Sequence, residues 1–149
     1  MIVKVQENDF NLNTELQLLK SNCKEYPGAI SSFIGYVRKD RNQNHISSMT
    51  LEHYPGMTEK KLYEILEDAN KKWPLLGTLI IHRYGKLNIG DQIVLTASAS
   101  LHRKAAFESS EFIMDFLKTN APFWKSEKID NQNKWVEENE EDKKALMKW

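Results

Sequence analysis

The stretch Thr78-Leu79-Ile80-Ile81-His82-Arg83-Tyr84-Gly85-Lys86-Leu87-Asn88-Ile89-Gly90-Asp91-Gln92-Ile93-Val94-Leu95-Thr96-Ala97-Ser98 decides the architecture. Thr78 to Tyr84 and Gln92 to Ser98 are two apolar, β-branched runs with Gly85, Gly90 and Asp91 between them, so they read as strands joined by a hairpin-like connection. Upstream, Leu62, Ile65, Leu66, Ala69 and Trp73 recur at helical spacing, predicting a helix from Thr58 that stops before Pro74. Downstream, Ala105, Ala106, Phe112, Ile113, Phe116 and Leu117 form the apolar face of another helix, which Pro122 must end.

Further out, Ile2 to Val5 reads as a strand and Asn13 to Ser21 as a short helix. Ala29 to Val37 is a strand, with Gly35 marking a bulge or a close backbone approach. Lys39 to Asn44 reads as an exposed, mobile loop before a strand from Ile46 to Tyr54. Phe123 to Lys128 and Lys134 to Glu137 are short strand candidates, followed by a charged tail ending in Leu146, Met147 and Trp149. Strands and helices do not alternate strictly. The expected fold is therefore α+β, a single domain over residues 1–149 with a mostly antiparallel sheet and packed helices.

The 21 Lys and Arg balance the 21 Asp and Glu, and no basic stripe is interleaved with aromatics, which argues against a nucleic-acid partner and requires any anion site to be local. No apolar run is long enough to cross a bilayer. The lone Cys23 cannot form an internal disulfide, no secretory leader pattern opens the chain, and a reducing cytoplasm is the expected location. Cys23 has no neighbouring His and reads as filler. His45, His53, His82 and His102 are scattered without metal-ligand spacing, and no phosphate or dinucleotide glycine loop is present, so neither a metal nor a cofactor is expected.

What remains is a set of basic residues at element ends. His102 and Arg103 follow a strand and open a helix, where unpaired backbone N–H groups and the positive dipole end favour a phosphate. By themselves they read equally well as solvated side chains covering a helix start. Lys118, in the last helical turn, and Lys125 bracket Pro122 and Trp124. Two ammonium groups beside an aromatic wall lower a lysine's pKa toward the range of a base or nucleophile, although dipole complementation is the plainer explanation of Lys118. Arg38, at the end of its strand, offers a bidentate fork to phosphate or carboxylate. Leu51-Glu52-His53-Tyr54-Pro55-Gly56 is dense in polar groups, but Pro55-Gly56 turn chemistry accounts for much of it.

Five blocks, in order, closely resemble the large subunit of molybdopterin synthase: Gly35-Tyr36-Val37-Arg38; Leu51-Glu52-His53-Tyr54-Pro55-Gly56-Met57; Ile81-His82-Arg83-Tyr84-Gly85; His102-Arg103 with Ala106-Phe107-Glu108; and Leu117-Lys118 through Ala121-Pro122-Phe123-Trp124-Lys125. They span about residue 28 to Trp135. The resemblance implies an α/β hammerhead-type fold and a homodimer that becomes a heterotetramer with two small ubiquitin-like sulfur carriers. It further implies a sulfurtransferase of molybdenum cofactor biosynthesis. A carrier's C-terminal Gly-Gly thiocarboxylate would enter a pocket and pass sulfur to cyclic pyranopterin monophosphate, twice, through a hemisulfurated intermediate.

By the same resemblance, Lys118 and Lys125 are the catalytic pair. Lys125 activates or stabilises the reacting centre and Lys118 contacts the thiocarboxylate, an assignment the motifs leave interchangeable. Arg38, His102 and Arg103 bind substrate phosphate and pterin, Phe33 and Met114 line the pocket, and Glu127 is a proton-transfer partner. Two positions depart from the pattern: Leu101 replaces a small residue before His102, and Glu138-Asn139 stands where a basic residue reaching a neighbouring subunit is expected. A non-catalytic phosphate- or partner-binding module, needing Arg38, His102 and Arg103 but not the lysines, is the rival reading.

Overall fold

The computed structural model describes residues 1–38, 46–129, 132–135 and 140–149. The loop expected over Lys39 to Asn44 and the departure at Glu138-Asn139 lie outside these residues. Two four-stranded sheets carry the architecture. The first contains β1 (Ile2–Gln6), β4 (Leu75–Arg83), β6 (Gln92–Ser100) and β2 (Ala29–Tyr36) in that spatial order. The second is ordered β5 (Gly85–Asn88), β3 (Ile46–His53), β7 (Phe123–Ile129) and β8 (Gln132–Trp135). Among the described residues β1 and β4 pair in parallel and every other strand pair is antiparallel, as the absence of strict strand–helix alternation predicts.

The central strands β4 and β6 are apolar on both faces because both are covered. Leu79, Ile81, Leu95, Ala97 and Ala99 pack against Phe10 and against Leu19 of α1 (Leu12–Ser21). Ile80 and Val94 face the other way. They meet Leu62, Ile65, Leu66 and Ala69 of α2 (Met57–Lys72), with Phe112, Ile113 and Leu117 of α3 (Arg103–Asn120). The second sheet has its own smaller core of Val37, Met49, Leu51 and Leu87.

The hairpin-like connection between β4 and β6 differs from the sequence expectation. It contains a strand, β5, which leaves the first sheet and pairs with β3 of the second, Leu87 opposite Met49 and Leu51 opposite Gly85. Gly85 makes the exit possible, since its φ of +84° is in the left-handed region that residues with a Cβ avoid. Leu87, fully buried, holds the strand down. Gly35 performs both roles the sequence allowed: the register with β6 shifts between Gly35 and Tyr36, and a Cβ at Gly35 would stand 2.8 Å from Val94 Cγ1.

The charged tail forms a short helix, α4 (Glu140–Ala145), and a 3₁₀ turn (Leu146–Lys148) lying along α3. Trp149 packs edge-on against Trp73 and Phe112, and its indole N–H donates to Asp115 Oδ2 at 2.8 Å. Lys148 pairs with Glu111 at 2.6 Å. No helix among the described residues is long and apolar enough to cross a membrane.

Candidate active site

The sequence-predicted basic residues fall into two groups at opposite ends of α3. At its start, β6 delivers the chain through Ser100 and Leu101 to His102, which occupies the N-cap position. Ser100 fixes this corner: its hydroxyl accepts the His102 N–H at 3.0 Å and donates to the His102 carbonyl at 2.6 Å. No side chain caps the helix, and its first turn contains no acidic residue, so the positive dipole end is not offset. Gly28, Ala29, Leu101, His102, Arg103 and Lys104 line an open hollow of about 460 Å³ here. The hollow lies where the sequence places His102 and Arg103, and Lys104 and the start of β2 also line it.

Gly28 is what keeps that corner closed. A Cβ on Gly28 would lie 2.2 Å from the Leu101 carbonyl oxygen, a backbone atom with nowhere to retreat. Gly28→Ala must therefore push β2 away from the Leu101–Arg103 turn. We expect a loss of about 2 kcal/mol in denaturant unfolding, in the usual range for overpacking, with weaker binding of inorganic phosphate. An unchanged unfolding midpoint would show that the corner yields freely.

At the other end of α3 the lysines come together. Lys125, on β7, sits opposite Leu51 of β3, and Glu127 sits opposite Met49, so both side chains leave β7 on the face that carries the Met49–Leu51 core. The Lys125 stem is half-buried, and burial, the first cause, pushes its ammonium below the ordinary lysine value. Glu127 and Asp142 act against this, while Lys118 and Arg38 reinforce it as like charges. Arg38 just after β2, Lys118 of α3 and Glu127 of β7 are thus all near enough to Lys125 to act on its charge. The sequence did not foresee Asp142, which lies 3.8 Å from Lys118 Nζ. Only the polarity of the tail hinted at it.

Met114 lies one helical turn before Lys118, on the same side of α3, and is half-buried against the core. Phe33, on β2 opposite Thr96, is 45% exposed, a large apolar surface open to solvent. His102 and Arg103 are not brought to the lysines within one chain. Arg103 and Lys118 are separated along α3 by roughly 22 Å at 1.5 Å per residue. Arg38 is likewise at the far end of β2 from Ala29, which pairs with Ser100 beside the hollow.

Beneath β7 lies a histidine pair that the sequence left without a role. His82 of β4 is buried and stacks on Phe123, the first residue of β7, with ring centroids 3.7 Å apart and planes 17° apart. His53, opposite Phe123 in the sheet, packs on Tyr84 at 4.4 Å. The His82 Nδ1–H donates to the Arg83 carbonyl at 2.8 Å. Burial, aided by His53, lowers the His82 pKa to about 4 despite that hydrogen bond, so the ring is neutral at physiological pH.

Comparison with known proteins supplies the family. The sequence pattern of the MoaE protein family matches residues 5–120. A molybdopterin synthase catalytic subunit from Ralstonia nicotianae is 48% identical over 147 residues, covering 99% of this chain and 83% of the relative. The structure of the molybdopterin biosynthesis MoaE protein from Burkholderia ambifaria superposes with a TM-score of 0.85 at 42% identity, covering 99% of this chain and 97% of the other. A chain from the complex of subunits 1 and 2 of the Helicobacter pylori molybdopterin-converting factor has the same fold, with a TM-score of 0.75 at 23% identity, covering 93% and 92%. With the family pattern spanning most of the chain and relatives matching it nearly end to end, this protein belongs to the MoaE family, the catalytic subunits of molybdopterin synthase.

Proposed function

We propose that this chain transfers sulfur from the C-terminal thiocarboxylate of a small ubiquitin-like carrier to cyclic pyranopterin monophosphate, building the dithiolene of molybdopterin in two rounds. The observation that carries this reading is Lys125, an ammonium held below its ordinary pKa by burial and by Lys118 and Arg38, on the face of β7 that also presents Glu127. Such a group exists in part as a free amine nearer neutral pH and serves as a base, a nucleophile or a donor to developing negative charge. In this reading Lys118, more exposed, contacts the carrier's thiocarboxylate through its ammonium, and Lys125 acts at the reacting carbon. Glu127 takes up and returns the proton. Asp142 occupies Lys118 until the thiocarboxylate displaces it.

Arg38 offers a guanidinium fork beside the lysines, while His102, Arg103 and the open start of α3 offer an anion site. Because these are at opposite ends of α3, one small pterin cannot reach both within a chain. A homodimer resolves this: His102 and Arg103 of one copy hold the substrate phosphate while Arg38, Lys118 and Lys125 of the other work on its ring, with Phe33 and Met114 as the apolar wall. With one carrier per copy the assembly is a heterotetramer, and the carrier's extended tail docks along the pocket. The Helicobacter pylori protein of the same fold comes from a complex of subunits 1 and 2 of a molybdopterin-converting factor. The chemistry needs no metal or organic cofactor, and its setting is the cytoplasm.

The deciding experiment mixes the protein with thiocarboxylated carrier and cyclic pyranopterin monophosphate and follows both by mass spectrometry. Dithiolene pterin should appear with two equivalents of discharged carrier. Binding of both reactants with no sulfur moved would favour the non-catalytic module.

A further inference from the structure

We infer that the stack of His82 on Phe123 is the device that positions Lys125: it locks the first residue of β7 in the second sheet to the central strand β4 of the first. This deepens the sulfur-transfer reading and rests on it.

Four observations converge. The stack is a direct side-chain contact between the two sheets, as is the packing of Ile93 of β6 on the second-sheet core, and its rings are nearly parallel at 3.7 Å. Phe123 is two residues before Lys125 on the same strand face, so any tilt of the Phe123 end of β7 moves the Lys125 stem directly. His82 cannot turn away, because its Nδ1–H is held by the Arg83 carbonyl and its ring is buried. His53, the cross-strand neighbour of Phe123 with ring centroids 6.3 Å apart, is itself packed on Tyr84, so Phe123 meets an imidazole from each sheet.

The choice of histidine also has a reason. A flat ring matches the Phe123 face, and its Nδ1–H donates to the Arg83 carbonyl. Kept neutral, it adds no charge to those already facing Lys125: Glu127 on β7, Lys118 on α3, Arg38 after β2 and Asp142 on α4. His82 and Phe123 are thus positioning residues, acting through the backbone of β7.

The test uses the full chain with its carrier, in wild type, His82→Ala, His82→Phe and Phe123→Leu. Two quantities are read: kcat and KM for sulfur transfer, and the pH dependence of amine labelling at Lys125 by mass spectrometry, with folding verified by circular dichroism. His82→Ala should lower kcat by about 100-fold, the scale of an ångström of misplacement, with KM little changed. It should also move the Lys125 labelling midpoint up toward that of an ordinary lysine. His82→Phe, which keeps the flat ring, should restore both. Phe123→Leu probes the stack from the other sheet and carries the test alone if His82→Ala does not fold. A Lys125 midpoint unmoved in the folded variants overturns the inference even if kcat falls, as does a His82→Phe protein no better than His82→Ala. If wild type makes no dithiolene product the sulfur-transfer reading fails, and the labelling midpoints still decide whether the stack sets Lys125.

Discussion

Lys125→Ala should lose about 1,000-fold in sulfur transfer, within the 10²–10⁴ range for removing a positioned acid–base group, while keeping its fold and its affinity for the carrier. The stability half of this expectation follows from Lys125's surroundings. Its ammonium is partly desolvated and repelled by Lys118 and Arg38, so the charge is not a net stabiliser, and alanine relieves that cost while giving up some stem packing on the Met49–Leu51 face. The two changes oppose each other, and urea unfolding should move by less than about 1 kcal/mol. Single-turnover rates with saturating carrier and pterin supply the other half. Turnover close to wild type would remove Lys125 from the chemistry, whatever its pKa.

The second large effect is on acid stability. His82 has a folded pKa of about 4 against an ordinary value of 6.5. Above pH 6.5 the ring is neutral in both states and contributes no pH dependence. Between pH 6.5 and 4 the unfolded chain takes up a proton that the folded protein refuses, so stability falls. Below pH 4 both states are protonated and the loss is complete. At 1.36 kcal/mol per pKa unit, the penalty reaches about 3 kcal/mol. His82→Phe cannot titrate, so its unfolding free energy between pH 6.5 and 4 should decline less than the wild type's by roughly that amount. Parallel pH profiles for the two proteins would mean that the buried ring is protonated without cost.

The elements with strong periodicity were legible from sequence because each is decided locally. Leu62, Ile65, Leu66 and Ala69 can only be one face of a helix, and all four are buried as that pattern requires. Pro74 and Pro122 stop their helices at Lys72 and Asn120. β5 was not legible. It is four residues long with a single buried apolar side chain, Leu87, and its strand character comes from β3, far away in sequence. The site divides in the same way. His102 and Arg103 could be read as a helix start, which is a local fact. That Arg38 and Lys125 feel each other, that His82 has an aromatic partner, and that Asp142 meets Lys118 are facts about pairing between sheets and about the packing of the tail. Periodicity contains no information about either. The separation of His102 from Lys118 was legible all along in the length of α3, but only once both were placed on one unbroken helix.

The insertion of β5 between β4 and β6 also bears on how the chain assembles. β4 and β6 are neighbours in sequence and in space, so the loop they close is short, whereas Ile2 must find Leu79, Ala29 must find Ser100 and Ile46 must find Ile129. Closing long loops is entropically slower, which makes the β4–β6 pair the natural nucleus and the second sheet a late addition. The hollow beside His102 is lined by Gly28 and Ala29 as well as by the start of α3, so it is complete only once β2 has found β6. The lysine site waits in turn for β3 and β7, so neither end of α3 is furnished by the nucleus alone.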